Sequence, residues 1–125
     1  MKLLPPQVEP ETLAALATEA SGLLIAGKFS ELAARFGYAI ALDRNPSTAI
    51  QEDLNASLAH LGEASLDPSA EPEVQVKYFK PDHQLYAVAE CVLVTAGGHR
   101  LLVELVVSVA GNDFHATLEQ ISAAA

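Results

Sequence analysis

The chain has 125 residues, a length at which about two-thirds of the unfolded surface can be buried in one core, so we expect a single domain over residues 1–125. Half of the residues are hydrophobic and 18% are charged, a composition that excludes a disordered or low-complexity chain. Sixteen acidic against seven basic residues give a net charge of −9. This charge repels phosphates and anionic lipid headgroups, so neither nucleic acid nor a membrane is an expected partner.

The beginning of the chain predicts a short lead-in and two helices. Residues 1–9 contain two prolines and little periodicity, so we expect them to be flexible. Over residues 11–26 apolar side chains recur every three or four positions, which indicates a helix with one buried stripe. The same spacing over residues 29–36 predicts a second, shorter helix. Gly27 and Gly37 stand where glycine commonly ends a helix.

The next segment predicts a short strand, a turn and a third helix. Residues 38–42 are mostly apolar and are followed by turn formers over residues 43–46. Thr48 and Gln51 have the spacing of a capping box, in which the Thr hydroxyl accepts from a backbone amide and the Gln side chain reaches back to the cap. We therefore expect a helix that is capped by Thr48 and ended by Gly62. Residues 63–72 are predicted to form a connecting loop.

From residue 73 onward the apolar side chains alternate, which is typical of β-strands. Strands are predicted over residues 73–80, 84–96, 100–110 and 114–121, although the last run also fits a helix. Three hairpin turns would connect them, at Pro81-Asp82, Gly97-Gly98 and Gly111-Asn112. The predicted fold class is α+β, with three N-terminal helices packed on a curved antiparallel sheet.

The connection between the first two helices resembles a known motif. It reads Gly27-Lys28-Phe29-Ser30-Glu31-Leu32-Ala33-Ala34-Arg35-Phe36. This is similar to the G-D-F-x-x-L-A-x-x-F connection of the nuclear-transport-factor-2-like superfamily, also called SnoaL-like or cystatin-like, with Lys28 where Asp is usual. Residues 114–121 resemble the closing strand of such domains, and the resemblance spans about residues 11–122.

The resemblance implies a cone-shaped, cystatin-like domain with a pocket between its helices and its sheet. It also implies dimerisation through the outer sheet face, which is frequent in the superfamily. Members include ketosteroid isomerases, polyketide cyclases, dehydratases, epoxide hydrolases and many non-catalytic binding domains. The resemblance thus indicates a fold more specifically than a function.

Glu90 is the first candidate catalytic residue. If Gly97-Gly98 forms a two-residue turn, Leu105 lies opposite Glu90, and the carboxyl group sits on an otherwise apolar sheet face. Desolvation there would raise its pKa and suit a general acid or base, as strand carboxylates act in the isomerases that the chain resembles. Two structural alternatives stay open: a one-residue bulge could turn Glu90 to solvent, or Glu90 could pair with Tyr86 or Lys77.

Tyr38 and Tyr86 are candidate hydrogen-bond donors to a ligand carbonyl, although packing alone also explains half-buried tyrosines on strands. The predicted ligand pocket is mostly apolar, and its lining residues are Phe36, Tyr38, Leu58, Tyr86, Val88, Glu90, Leu105, Val107 and Phe114. The four histidines lack metal-ligand spacing and the glycines form no nucleotide-binding motif. We therefore expect no metal site and no cofactor.

Cys91 is the single cysteine, so it can form neither an internal disulfide nor a cysteine-based zinc site. No apolar leader follows Met1, and no stretch approaches the roughly 18 apolar residues of a membrane span. These features predict a cytoplasmic protein.

The outer face of the predicted sheet is too apolar for a surface that faces water. It would carry Ala87, Ala89, Cys91, Leu93, Leu102, Glu104, Val106 and Ser108. We therefore expect a homodimer that forms through the sheet. The predicted function is that of a small dimeric binding domain for a small hydrophobic ligand. The alternatives are an isomerase, dehydratase or cyclase that uses Glu90, and a protein-interaction module that acts through the outer sheet face.

Overall fold

A computed structural model describes residues 1–80 and 84–124 of the chain. Within these ranges it contains three α-helices and one five-stranded antiparallel sheet, which confirms the predicted α+β class. The helices are α1 (Pro10–Ile25), α2 (Phe29–Phe36) and α3 (Pro46–His60), and the strands are β1 (Lys2–Leu3), β2 (Glu73–Tyr78), β3 (Leu85–Val94), β4 (Arg100–Ala110) and β5 (Asp113–Ala123). The predicted turn at Pro81-Asp82 lies outside the described residues.

The strands lie in the order β1-β5-β4-β3-β2, and the helices pack on one face of this sheet. Leu93 of β3, Leu101 and Leu105 of β4 and Leu118 of β5 are almost completely buried on that face. They share one core with buried side chains of all three helices. The helices leave the other face of the sheet uncovered. Successive side chains of a strand point to opposite faces, so this alternation decides which residues enter the core.

The N-terminal segment that was predicted to be a flexible lead-in forms a short strand and a turn. Leu3 of β1 pairs with Phe114 of β5, and the ammonium group of Met1 donates to the carbonyl of Ala116 at 2.8 Å. The two prolines, which suggested flexibility, begin a 3-10 turn over Pro5–Val8. Leu3 is only 2% exposed, so a contact between the two ends of the chain, invisible to local periodicity, orders this segment.

The predicted strand over residues 38–42 is also wrong. Tyr38 makes one isolated bridge to Leu118, after which the amide of Ala41 donates back to the carbonyl of Tyr38 at 3.1 Å and the chain turns. Leu42 adopts a positive φ of 57° and is 86% exposed. The run is apolar in composition, but the turn prevents continued pairing along β5.

Helix α3 is capped three residues earlier than the capping box predicts. It begins at Pro46, and the side chain of Asn45 accepts a hydrogen bond from the amide of Thr48 at 3.2 Å. Asn45 is therefore the cap, and Pro46 occupies the first helical position, where its missing N–H costs nothing. The capping role predicted for Thr48 was wrong because a better cap followed by proline lies just before it.

The turn between β3 and β4 changes the register of the sheet. The amide of Thr95 donates to the carbonyl of His99 at 2.8 Å, and Gly98 has a φ of 88°, which gives a three-residue turn instead of the expected two. Glu90 consequently lies opposite Glu104, not Leu105. A one-residue slip exchanges the two faces of a strand, so the odd-numbered side chains of β3 enter the core.

The turn between β4 and β5 has the predicted length. Ala110 pairs with Asp113 across Gly111-Asn112. Further along, a bulge at Glu119 places Ile121 opposite Val103, and Ile121 is only 5% exposed. The bulge therefore returns an apolar side chain to the helix-covered face near the end of β5.

Candidate functional site

The sheet face that points away from the helices is the candidate functional site, and we call it the open face. It is formed by alternate residues of four strands, Gln75, Lys77, Val88, Glu90, Val92, Val94, Leu102, Glu104, Val106, Thr117 and Gln120.

The open face consists of rows of side chains that cross the sheet. One row pairs Val88 with Val106, and another pairs Val92 with Leu102. All but Val88, which is 7% exposed, are partly exposed. Solvated faces of antiparallel sheets usually carry polar side chains, so these apolar rows are unusual for a surface in contact with water.

A polar row lies between the two apolar rows. Glu90 and Glu104 are at its centre, flanked by Gln75 on β2 and Gln120 on β5. Lys77 reaches across from β2, and its Nζ lies 2.9 Å from Oε1 of Glu90. The centre of the open face is therefore an ion pair next to a second carboxyl group.

Glu104 is the carboxyl group that this arrangement perturbs. Partial burial raises its pKa above the ordinary value, and the negative charges of Glu90 and Glu119 raise the pKa further. The positive charge of Lys77 lowers this pKa, but by less than the other groups raise it. Glu104 thus binds a proton more readily than an isolated glutamate.

Glu90 does not lie on the helix-covered face, as the two-residue turn would have required. Its contact with Lys77 is one of the structural alternatives that the sequence left open. A shallow cleft of 220 Å³ lies beside it, lined by Glu73, Val74, Gln75, Glu90, Val92 and Arg100. The cleft is at the β2 edge of the open face.

The two candidate tyrosines lie apart from Glu90. The hydroxyl of Tyr38 donates to Oδ2 of Asp53 on α3 at 2.5 Å. Tyr86 packs edge-on against Tyr78 and Phe114, with ring centroids 5.6 and 4.9 Å apart. Tyr38 therefore contacts a helix on the covered side of the sheet, while Glu90 points away from it.

The residues predicted to line a pocket are divided between several places. Five of them are buried in the core between helices and sheet, namely Phe36, Tyr38, Leu58, Leu105 and Val107. Tyr86 and Phe114 form the aromatic contact described above and pack against this core, while Val88 and Glu90 are on the open face. The structure thus brings seven of the nine together, as side chains packed in or against the core.

Sequence patterns did not predict the ion-pair network around Asp53. Arg44 binds its carboxylate with two nitrogens, at 2.9 and 3.2 Å, and also donates to the carbonyls of Ile40 and Ala41. The Arg44 hydrogen bonds hold the pKa of Asp53 below its ordinary value. Burial raises the pKa of Tyr38, and the hydrogen bond to Asp53 raises it further. The network fixes the loop between α2 and α3.

A second contact that sequence patterns missed holds the β3–β4 turn. Oε1 of Glu63 accepts from the amide of Gly97 at 3.0 Å, and Oε2 lies 2.5 Å from Nδ1 of His99. The hydrogen bond with His99 is the main cause that lowers the pKa of Glu63. A Cβ at position 97 would collide with this carboxylate. Gly97 therefore leaves room for the Glu63 carboxylate beside the turn, while Gly98 adopts the positive φ that the turn requires.

No protein-family model, curated protein or solved structure matches the chain. The α+β class therefore rests on the structure, and the likeness to the nuclear-transport-factor-2-like superfamily stays a prediction. In the described part of the chain, no three His, Cys, Asp or Glu side chains are grouped to hold a metal ion. Nor is any helix there long and apolar enough to cross a membrane.

Proposed function

We propose that this chain is a small binding domain of the nuclear-transport-factor-2-like type and that it forms a homodimer through the open face of its sheet. The observation that carries the proposal is the pair of apolar rows, Val88 with Val106 and Val92 with Leu102. No helix in the described part of the chain packs on these two rows. Burial of such rows against a second copy would remove apolar surface from water, the main driving force of association.

The size of the face suits a small dimer interface. Strand β4 has 11 residues and so rises roughly 36 Å, while the four strands of the open face, spaced about 4.8 Å apart, cover roughly 14 Å between the outer axes. The projected area of roughly 500 Å² is below the ~800 Å² that each partner contributes to a standard interface and is typical of a weaker, transient contact. The open face is thus large enough for a weak specific contact.

The charges on the face favour a weak or regulated contact over a permanent one. A second copy placed on the open face would bring two sets of Glu90 and Glu104 towards one layer. Among the described residues, Lys77 is the basic side chain that pairs with Glu90. Burial of unpaired carboxylates is unfavourable. The apolar rows would therefore act against a repulsion that depends on the protonation of Glu104.

Sedimentation equilibrium on the full chain tests the proposal. We expect the wild-type protein to sediment as a dimer and Leu102→Lys to sediment as a monomer. Leu42→Lys is the matched control, since Leu42 is 86% exposed and lies in the loop after α2, so this variant should remain dimeric. Far-UV circular dichroism establishes that all three proteins are folded.

The other outcomes have distinct meanings. A wild-type monomer would contradict the homodimer and favour a different protein as the occupant of the open face. A dimer that survives Leu102→Lys but is lost in Leu42→Lys would move the interface to the loop between α2 and α3, and would also contradict the proposal.

A further inference from the structure

A cleft of 470 Å³ separates α1 from the segment that leads into β2. Its volume is within the range of small-molecule sites in proteins, roughly 300 to 1,000 Å³. The α1 side is formed by Thr18, Gly22, Ile25 and Ala26, and the opposite side by Pro68, Ser69, Ala70, Glu71 and Pro72. The cleft is separate from the open face, because α1 packs on the other side of the sheet.

Gly22 makes this cleft wider than the helix requires. Glycine is less favourable than alanine within a helix, yet Gly22 has no positive φ and a Cβ there would meet nothing within 4 Å. Neither the backbone conformation nor packing therefore explains the glycine. The missing side chain leaves a gap in the α1 wall of the cleft, between Thr18 and Ile25, which lie on the same side of the helix.

The opposite wall is held in place before any ligand arrives. Leu66 makes a bridge to Thr95, and the amide of Asp67 donates to the carbonyl of Val94 at 2.9 Å. The carboxylate of Asp67 accepts from both the amide and the hydroxyl of Ser69. Two prolines further restrict the segment. A preformed wall reduces the ordering cost of binding.

The lining also indicates the chemistry of an occupant. Ile25, Ala26, Pro68, Ala70 and Pro72 present apolar surface, and Glu71 is the charged residue among the lining side chains. We propose that the cleft binds a small molecule with an apolar tail and a cationic head, such as an alkylammonium, with the tail over Gly22 and the head beside Glu71. This site is independent of the homodimer, so either can fail without the other.

Three probes of eight carbons each test the proposal, namely octylammonium, 1-octanol and octanoate, each titrated below its aggregation limit into the full-length ¹⁵N-labelled protein. We expect octylammonium to shift the amide signals of Gly22, Ile25 and Ala70 and to bind about two- to fivefold more tightly than octanol. Octanoate should bind most weakly. The Glu71→Gln variant should bind octylammonium and octanol equally.

Gly22→Leu fills the gap and should weaken octylammonium binding by about tenfold, since the tail loses its apolar contacts. Gly22→Ala is the matched control, because its gain in helix propensity is at least as large and it leaves most of the cleft open. Both variants should melt at or above the wild-type temperature, so lost binding cannot be attributed to unfolding. Shifts centred elsewhere, no shifts with any probe, or equal binding by wild type and Gly22→Leu would each overturn the proposal.

Discussion

Glu90 and Glu104 lie directly opposite each other on β3 and β4, in the middle of the open face. Like charges at paired positions of an antiparallel sheet destabilise it. Lys77 contacts Glu90, and partial burial together with the charges of Glu90 and Glu119 raises the pKa of Glu104. The folded protein therefore contains a carboxyl group that holds its proton to higher pH than the unfolded chain does.

Replacement of Glu104 by Gln should stabilise the protein at neutral pH. The raised pKa means that Glu104 costs folding free energy once pH exceeds the unfolded value, and the cost is complete above the folded pKa. We expect Glu104→Gln to raise the free energy of unfolding by about 0.5 kcal/mol at pH 7. Urea denaturation at pH 7 and at pH 3.5 measures this difference.

The difference should vanish at pH 3.5, where Glu104 is protonated in both the folded and the unfolded protein. Glu31→Gln, an exposed change on α2, serves as the control and should leave stability nearly unchanged at both values. An effect of Glu104→Gln that is equally large at the two pH values would show that charge is not its cause.

The proposed homodimer should form more readily as the pH falls from 7 to 5. Protonation of Glu104 removes one carboxylate per copy from the layer that holds Glu90, Glu119 and Lys77, so the repulsion in the interface decreases. Sedimentation equilibrium should therefore give a smaller dissociation constant at pH 5. His115 of β5 pairs with Ser108 of β4, the strand that carries Glu104, so His115→Gln is measured in parallel.

The variant that removes the pH dependence of dimerisation identifies the residue that causes it. Glu104→Gln should dimerise more tightly at pH 7 and show a flatter pH profile, while His115→Gln should keep the wild-type slope. A profile that His115→Gln flattens and Glu104→Gln does not would contradict the assignment to Glu104.

Asp53 should contribute stability that is lost in acid. Its pKa is lowered, chiefly by the hydrogen bonds from Arg44, so its contribution is complete above the unfolded pKa and disappears as the pH falls through the folded pKa. Because the pair is partly exposed, we expect Asp53→Asn to cost only about 1 kcal/mol at pH 7. Glu52→Gln is the matched control, as Glu52 lies 3.8 Å from Arg44 and is mostly exposed.

Chemical denaturation of both variants at pH 7 and pH 2 measures these effects. Asp53→Asn should approach the wild-type stability at the lower pH, and Glu52→Gln should stay close to wild type throughout. Equal losses in the two variants would mean that the net charge near Arg44 matters, not the bidentate contact.

The elements of the fold were largely predictable from the sequence, whereas the faces of the sheet were not. Apolar periodicity identified α2 and β4 with the observed bounds, because each buries a single stripe or face. The pair Gly97-Gly98 suits two turn lengths equally well. The length that the turn adopts depends on a contact with Glu63, 34 residues away from Gly97. Local spacing does not encode this contact. One residue of difference in that turn moved Glu90 to the open face.

Contacts between distant parts of the chain account for the other errors. Tyr38 is held by Leu118 and Asp53, so an apolar run that looked like a strand became a turn. The candidate cleft at Gly22 could not be predicted either, because its second wall comes from residues 68–72. Sequence patterns describe one element at a time, and each of these features needs two.

The order of the N-terminal segment gives the last prediction, since Leu3 and Leu4 are neighbours with opposite environments. Leu3 is 2% exposed and Leu4 is 63% exposed. Leu3→Ala leaves a cavity where β1 meets β5 and should lower the free energy of unfolding by about 2 to 3 kcal/mol. Leu4→Ala removes the same atoms from a surface position and should cost less than about 0.5 kcal/mol. Thermal and urea denaturation compare the two, and equal small losses would restore the flexible lead-in that the prolines suggested.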